Sequence, residues 1–234
     1  MKFKALISPT LSEMFVEEIE SMILSSKLSV GEKLPTEREL ADEMKVSRAV
    51  INGGTTELAS IGFLEVVPRK GIYVADYKSR GRLEVLQVML EHSGGRFDAE
   101  LLTSVLQIRE ACEQDYARLA AQHRTSADIE AIHAQTESIQ RAKETAELSE
   151  TVFDFYRLVA VASRNIVYPL LHSTMRPVYT ALFDRLFTVP GQNARLDLFR
   201  RLAECIVHGQ PEEAAACVHT IIEWTNAALR PSAK

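Results

Sequence analysis

Lys33 to Val50, KLPTERELADEMKVSRAV, reads as a helix, a tight turn and the start of a second helix. Pro35 cannot sit inside the first helix and marks the approach to it. Thr36 and Glu39 have the spacing of a capping box, in which each side chain covers the other's free backbone N–H. Leu40 and Met44 share one helical face, while Arg38 and Asp42 point elsewhere. Val46 falls in the turn, and Ser47 caps a new helix that carries Val50, Thr55 and Leu58. A short helix feeding a second one that opens Ser47-Arg48 is how a helix-turn-helix offers a basic residue to a DNA groove.

On the N-terminal side, Thr10 and Glu13 form a second capping-box pair. Behind them Leu11, Phe15, Ile19, Met22 and Ile23 repeat at helical spacing, with Glu17, Glu18 and Glu20 left for solvent. Gly31 breaks the chain before the helix-turn-helix. On the C-terminal side, Phe63–Val67 and Gly71–Val74 are β-rich runs split by Pro68-Arg69-Lys70-Gly71, a hairpin signal with a basic tip. Three helices and a hairpin predict a winged helix-turn-helix over residues 1–77. The polar run KSRGR, 78–82, is the expected connector. From Leu83 onward only helical periodicity is visible, so 83–234 is expected to be an all-α bundle of about six to seven helices. These cover Leu83–Glu91, Ala99–His123, Ser126 to about Lys143, Glu147–Ala162, Tyr168–Phe187 with a kink at Pro177, Ala194–His208 and Pro211–Leu229.

The bulk properties bound the function. A chain of 234 residues with 46% hydrophobic and 25% charged residues suits a globular protein of one or two domains. A net charge of −5 excludes a basic nucleic-acid coat. Residues 1–77 are themselves acidic, with nine Lys and Arg against twelve Asp and Glu. Any DNA contact must therefore come from a local patch, for which Arg38, Lys45, Arg48, Arg69 and Lys70 are available. Cys112, Cys205 and Cys217 are odd in number and widely spaced, as in the core of a protein from a reducing compartment. The N-terminal MKFKALIS is too soon interrupted for a signal peptide, and no apolar run reaches membrane length, so a cytoplasmic protein without membrane contact is expected. The six histidines lack metalloprotease spacing, and neither a phosphate loop nor a nucleophile elbow appears. Nothing supports catalysis.

LPTERELADEMKVSR, the Gly62-Phe63-Leu64 step and PRKGIYV resemble the DNA-binding head of the GntR family of bacterial transcription regulators. LQIREACEQDYARLAA, FYRLVAVASRN and GQPEEAAACVHTII are similar to its FadR-type subfamily, which carries a helical FCD effector domain. The resemblance implies a homodimer on a palindromic double-stranded operator, most simply a repressor, released or engaged by a small-molecule effector. Carried over, Arg38 and Arg48 match DNA-contacting arginines. Ser47, Ala49 and Asn52 share the recognition-helix start, and Arg69, Lys70 and Gly71 form the wing tip. The family often has a second arginine where this chain has Asn52, followed by Gly53-Gly54. Asn can pair bidentately with adenine, which implies an altered operator, and the glycines permit close approach to DNA or to a neighbouring helix.

Many FCD domains hold a divalent metal with one Asp and three His. By the resemblance those positions fall on Val152, Tyr156, Phe199 and Ile221, so no metal and no other cofactor is expected. Only a shift of register onto Asp154 and His219 would restore part of a site. The same four residues are then expected either to line, with Arg109, a pocket for an effector with an apolar body or to fill the old cavity with their own side chains so that nothing binds. Arg109 matches an arginine that faces effector carboxylates, and Glu113 at i+4 is the alternative partner. The rival readings are a metal-dependent FCD sensor of a carboxylate or sugar acid, and a constitutive DNA-binding dimer that senses nothing.

Overall fold

The computed structural model describes residues 9–191 and 195–230; the MKFKALIS segment and Ala194 lie outside them. The chain divides into two compact units at Gly94 and Gly95. The first contains helices α1 (Leu11–Leu24), α2 (Glu37–Met44) and α3 (Arg48–Ile61), strands β1 (Leu64–Val67) and β2 (Gly71–Val74), and helices α4 (Tyr77–Arg80) and α5 (Glu84–His92). This is a winged helix-turn-helix. Both expected capping boxes form: the Thr10 and Thr36 hydroxyls accept from the Glu13 and Glu39 backbone, and the glutamates accept in return. Each box also pulls its glutamate below the usual carboxylate range, through hydrogen bonds from the threonine backbone and hydroxyl. Lys45 adopts a left-handed conformation that ends α2, and Ser47 caps α3.

The wing is an antiparallel pair in the register Leu64 to Val74 through Val67 to Gly71. Leu34 and Gly31 donate backbone hydrogen bonds to Ile72 and Val74, so the approach to α2 covers the outer edge of β2. The core gathers Phe15, Ile19, Ile23, Leu40, Ile51, Leu58, Phe63 and Val74. Val85 of α5 belongs to the same core. The expected connector 78–82 is therefore partly helix α4, and the helix expected to open the bundle packs on the winged unit, because Val85, Val88 and Met89 find their apolar partners there.

The second unit is all α among the described residues: α6 (Ala99–His123), α7 (Ser126–Arg141), α8 (Thr145–Ala162), α9 (Val167–Thr174), α10 (Arg176–Thr188), α11 (Asp197–Val207) and α12 (Pro211–Leu229). α6 packs on α8, α11 and α12, and α10 covers α8. Two expectations change. Thr125, not Ser126, caps α7, with Asp128 completing a capping box. Pro177 does not kink one long helix; the chain breaks at Met175 and Pro177 occupies the first turn of α10, where its missing N–H has no partner to lose.

The two glycines of α3 have different roles. Gly54 is buried, and a Cβ there would lie 2.4 Å from Phe15 Cδ1 and 3.2 Å from Val16 Cγ2. Of the two close approaches the sequence allowed for, Gly54 serves the neighbouring helix α1. Gly53 is exposed, and its nearest neighbour would be Ser12 Oγ at 3.6 Å. Gly54→Ala is expected to be a net loss of stability, since overpacking costs about 1–3 kcal/mol against the roughly 1 kcal/mol that Ala gains in a helix. Gly53→Ala is expected to gain up to about 1 kcal/mol. Urea denaturation of both variants checks this, and equal stability would refute the packing role.

Candidate functional site

The first turns of α3 present Arg48, Ala49 and Asn52 to solvent. Ser47 precedes them, its hydroxyl accepting from the Val50 N–H at 3.4 Å. A helix N-terminus carries partial positive charge, which favours phosphate in an otherwise acidic unit. Arg38 stands exposed on α2, with Asp42 Oδ2 a loose 4.0 Å from its Nε, which leaves it available to DNA. Asn52 is less free than its sequence position suggests: its Nδ2 donates to Glu37 Oε1 at 3.0 Å. To read adenine through both ends of its carboxamide, Asn52 must give up that bond.

The wing tip is built by backbone geometry. Lys70 N–H donates to the Val67 carbonyl at 3.0 Å, and Arg69 and Gly71 both take positive φ, 64° and 126°. A Cβ on Gly71 would lie 2.8 Å from Lys33 Cε. Gly71 thus makes room for Lys33, which pairs with Tyr73 across β2. Lys33 and Glu37 are the two residues of this surface that motif reading missed. Their signal was only that both flank Pro35.

In the helical unit, Arg109, Val152, Tyr156, Phe199 and Ile221 are all buried, and they come from α6, α8, α11 and α12. Arg109 is 0% exposed and Glu113 is 1% exposed. The guanidinium donates twice to one carboxylate, Nε to Oε1 at 2.7 Å and Nη2 to Oε2 at 2.9 Å. Aromatic rings surround it, with Cζ 4.8 Å from the Phe183 ring, 5.4 Å from Tyr156 and 5.6 Å from Tyr179. Burial lowers the guanidinium's proton affinity, but the charge and hydrogen bonds of Glu113, with the neighbouring Tyr156 and Tyr179, together outweigh it and hold Arg109 protonated. Burial also pushes the Glu113 carboxyl above its ordinary range, against the pull of Arg109. The bidentate geometry is that of an ion pair.

Around the pair lie four buried polar atoms without a well-formed hydrogen bond: Arg109 Nη1, Tyr116 Oη, Tyr156 Oη and His172 Nδ1. Both phenols are pushed well up by burial and by the Glu113 charge, so they keep their protons. His172 Nε2 lies 3.0 Å from the Phe153 carbonyl, which can only accept, so Nε2 carries the hydrogen and Nδ1 is an acceptor. The ring stacks on Phe153 at 4.3 Å. The interior therefore offers a cationic donor, two hydroxyls and an acceptor within apolar walls. Arg109 and Tyr116, seven residues apart on α6, share a helical face, but nothing local in the sequence ties Tyr179, Phe183 or His172 to them.

The residues do not fit a metal ion. Val152, Phe199 and Ile221 have no donor atom, and Tyr156 keeps its proton. Asp154 and His219 do not make up the set. Asp154 Oδ1 accepts from Arg157 and Arg176, both at 3.2 Å, and His219 pairs with Glu110 and Glu223. Both are engaged with partners closer to the surface.

A winged head with a basic recognition-helix start, followed by an all-α unit with a polar core, defines a DNA-binding regulator with a separate sensing unit. Two family descriptions match: "Bacterial regulatory proteins, gntR family" over residues 11–74 and "FCD domain" over residues 104–223. The chain belongs to the GntR family of transcription regulators, in the branch that carries an FCD domain, and is not an enzyme. Among its relatives, the transcriptional regulator Mce2R of Mycobacterium tuberculosis is 26% identical over 214 residues, covering 91% of this chain and 89% of that one. The galactonate operon transcriptional repressor of Escherichia coli is 25% identical over 224 residues, covering 94% and 96%. The structure of Lar of Listeria monocytogenes shares the fold, with a TM-score of 0.65 at 16% identity over 95% of this chain and 98% of that one.

His172 supplies a pH test. Burial, partly opposed by the Phe153 carbonyl bond, lowers its pKa from 6.5 to about 4. The folded value lies below the unfolded one, so the unfolded chain binds the extra proton between them. The His172 contribution is complete above pH 6.5 and is lost as pH falls toward 4, a loss of about 3 kcal/mol. In denaturation at a series of pH values, His172→Gln is expected to lack that part of the acid slope. Superimposable slopes for variant and wild type would contradict the assignment.

Proposed function

We propose that this chain is a ligand-responsive repressor. It acts in the cytoplasm as a homodimer on a palindromic operator, and its helical unit binds a small organic effector without a metal. The observation that carries the sensing role is the set of buried polar atoms around Arg109 that lack a well-formed hydrogen bond, Arg109 Nη1, Tyr116 Oη and His172 Nδ1 foremost, since native interiors rarely leave such groups unmatched. Because Glu113 already neutralises the guanidinium, the site suits an effector with an apolar body and a hydrogen-bonding edge. Arg109, Tyr156 and Val152 would flank it, with Phe199 and Ile221 completing the apolar wall. An effector acts on operator affinity only through different affinities for the DNA-bound and free arrangements, so binding must be coupled between the units.

The dimer reading is supported by apolar side chains left in solvent at α9: Ile166 is 79% exposed and Leu170 65%, with Val167 between them. On the DNA side, Arg48 is the best candidate for guanine through its guanidinium fork, and Arg38 supports it. Ser47, Ala49 and Asn52 set the position of the helix start, and Arg69, Lys70 and Gly71 carry the wing to the adjacent groove. The repressor of galactonate genes among the relatives supports the sign of regulation.

Selection of bound sites from random duplex DNA tests the reading. A two-fold symmetric site is expected, and Arg48→Ala should weaken it by about 10- to 100-fold while leaving non-specific binding little changed. A selected pool without symmetry, or an Arg48→Ala protein that binds the selected site as tightly as wild type, would contradict it.

A further inference from the structure

Helices α11 and α12 bring two of the three cysteines together. Cys205 lies in the last turn of α11 and Cys217 in the second turn of α12, and their sulfurs are 3.8 Å apart. A disulfide bond is about 2.05 Å long, so closure of roughly 1.8 Å is needed, within reach of side-chain rotation and a small adjustment of the helices. Neither thiol is sealed in the core. Both are half-buried and line a groove of about 380 Å³ between the two helices, together with Leu198, His208 and Glu213. The groove gives a small oxidant a route to the sulfurs. Cys112, on α6, is outside this pair.

We infer that Cys205 and Cys217 are an oxidisable dithiol, closed to an intramolecular disulfide by hydroperoxides. The Cys217 thiolate attacks the peroxide, the O–O bond breaks, and Cys217 sulfenic acid forms with release of water or an alcohol. Cys205 then attacks the sulfenic sulfur, the S–S bond forms and the sulfenic oxygen leaves as a second water. Two thiol protons end in the products, and two electrons pass to the peroxide. Burial and the adjacent Cys217 push the Cys205 thiol up to about 11, and the same steps with the two cysteines exchanged give the same bond.

The bond would clamp the two helices that carry Phe199 and Ile221. Oxidation is thus placed beside the interior centred on Arg109, although the dithiol stands on its own geometry and does not depend on an effector.

The test uses the full chain, treated with hydrogen peroxide, then denatured and alkylated. There is no Lys or Arg between Leu202 and Leu229, so trypsin leaves both cysteines on one peptide beginning at Leu202. That peptide is expected to be lighter by two hydrogens and to resist alkylation, and its halves should stay joined after cleavage at Glu212 or Glu213. Alkylatable thiols should fall from three to one. Cys112→Ser should retain the bond, while Cys205→Ser and Cys217→Ser should each lose it. Oxidation should also raise the thermal midpoint of wild type and of Cys112→Ser by a few degrees, and not that of Cys205→Ser. A cross-link between two chains, a bond to Cys112, or oxidation of wild type that stops at sulfinic acid on one cysteine would overturn the proposal.

Discussion

Taking a guanidinium and a carboxylate out of water costs several kcal/mol for each ion, and only close, well-directed pairing offsets it. Arg109 and Glu113 meet that requirement one helical turn apart on α6, with two hydrogen bonds in a fork. Much of the helical unit is arranged around the pair. Phe183, Tyr156 and Tyr179 present ring faces to the guanidinium, and Tyr116 and His172 bring further polar atoms into the same interior. The cation of this interior is a side chain of the protein itself, the Arg109 guanidinium, held by the Glu113 carboxylate.

The winged unit solves a different problem. Its recognition helix has to sit close to α1, and Gly54 provides the space that Phe15 fills. The unit is acidic overall, so any attraction to DNA has to come from local features, of which a helix N-terminus and a basic hairpin tip are two. Gly71 is needed at the tip for its φ of 126°, and the Lys33 side chain lies beside it. Glu37 holds Asn52 at the start of the recognition helix.

Local signals in the sequence were reliable here because they have local causes. Thr36 with Glu39, Ser47 before α3, and the alternation around Pro68–Gly71 describe interactions within a few residues, and each forms as expected. Elements whose partners are distant were less legible. Periodicity identified α5 but could not say which core its apolar face would join, and it joined that of Phe15 and Ile19. Pro177 fits both a kink and a helix start, and periodicity alone does not separate them. The Asn52 contact with Glu37 spans fifteen residues and a turn, and the approach of Cys205 to Cys217 depends on how two helices face each other. The central pair was half legible: i, i+4 spacing allowed Glu113 as a partner, but only burial decides between it and an external anion.

That decision is the claim on which the account of the interior rests, and a double-mutant cycle on Arg109→Met and Glu113→Leu tests it most directly. With the chain free of effector, each single change strands a buried charge and is predicted to lower unfolding free energy by about 3–5 kcal/mol. The double change removes both charges and is predicted to recover most of that loss. Additive losses would contradict the account, because they would mean that Arg109 and Glu113 are satisfied independently and that the guanidinium is held for some other anion.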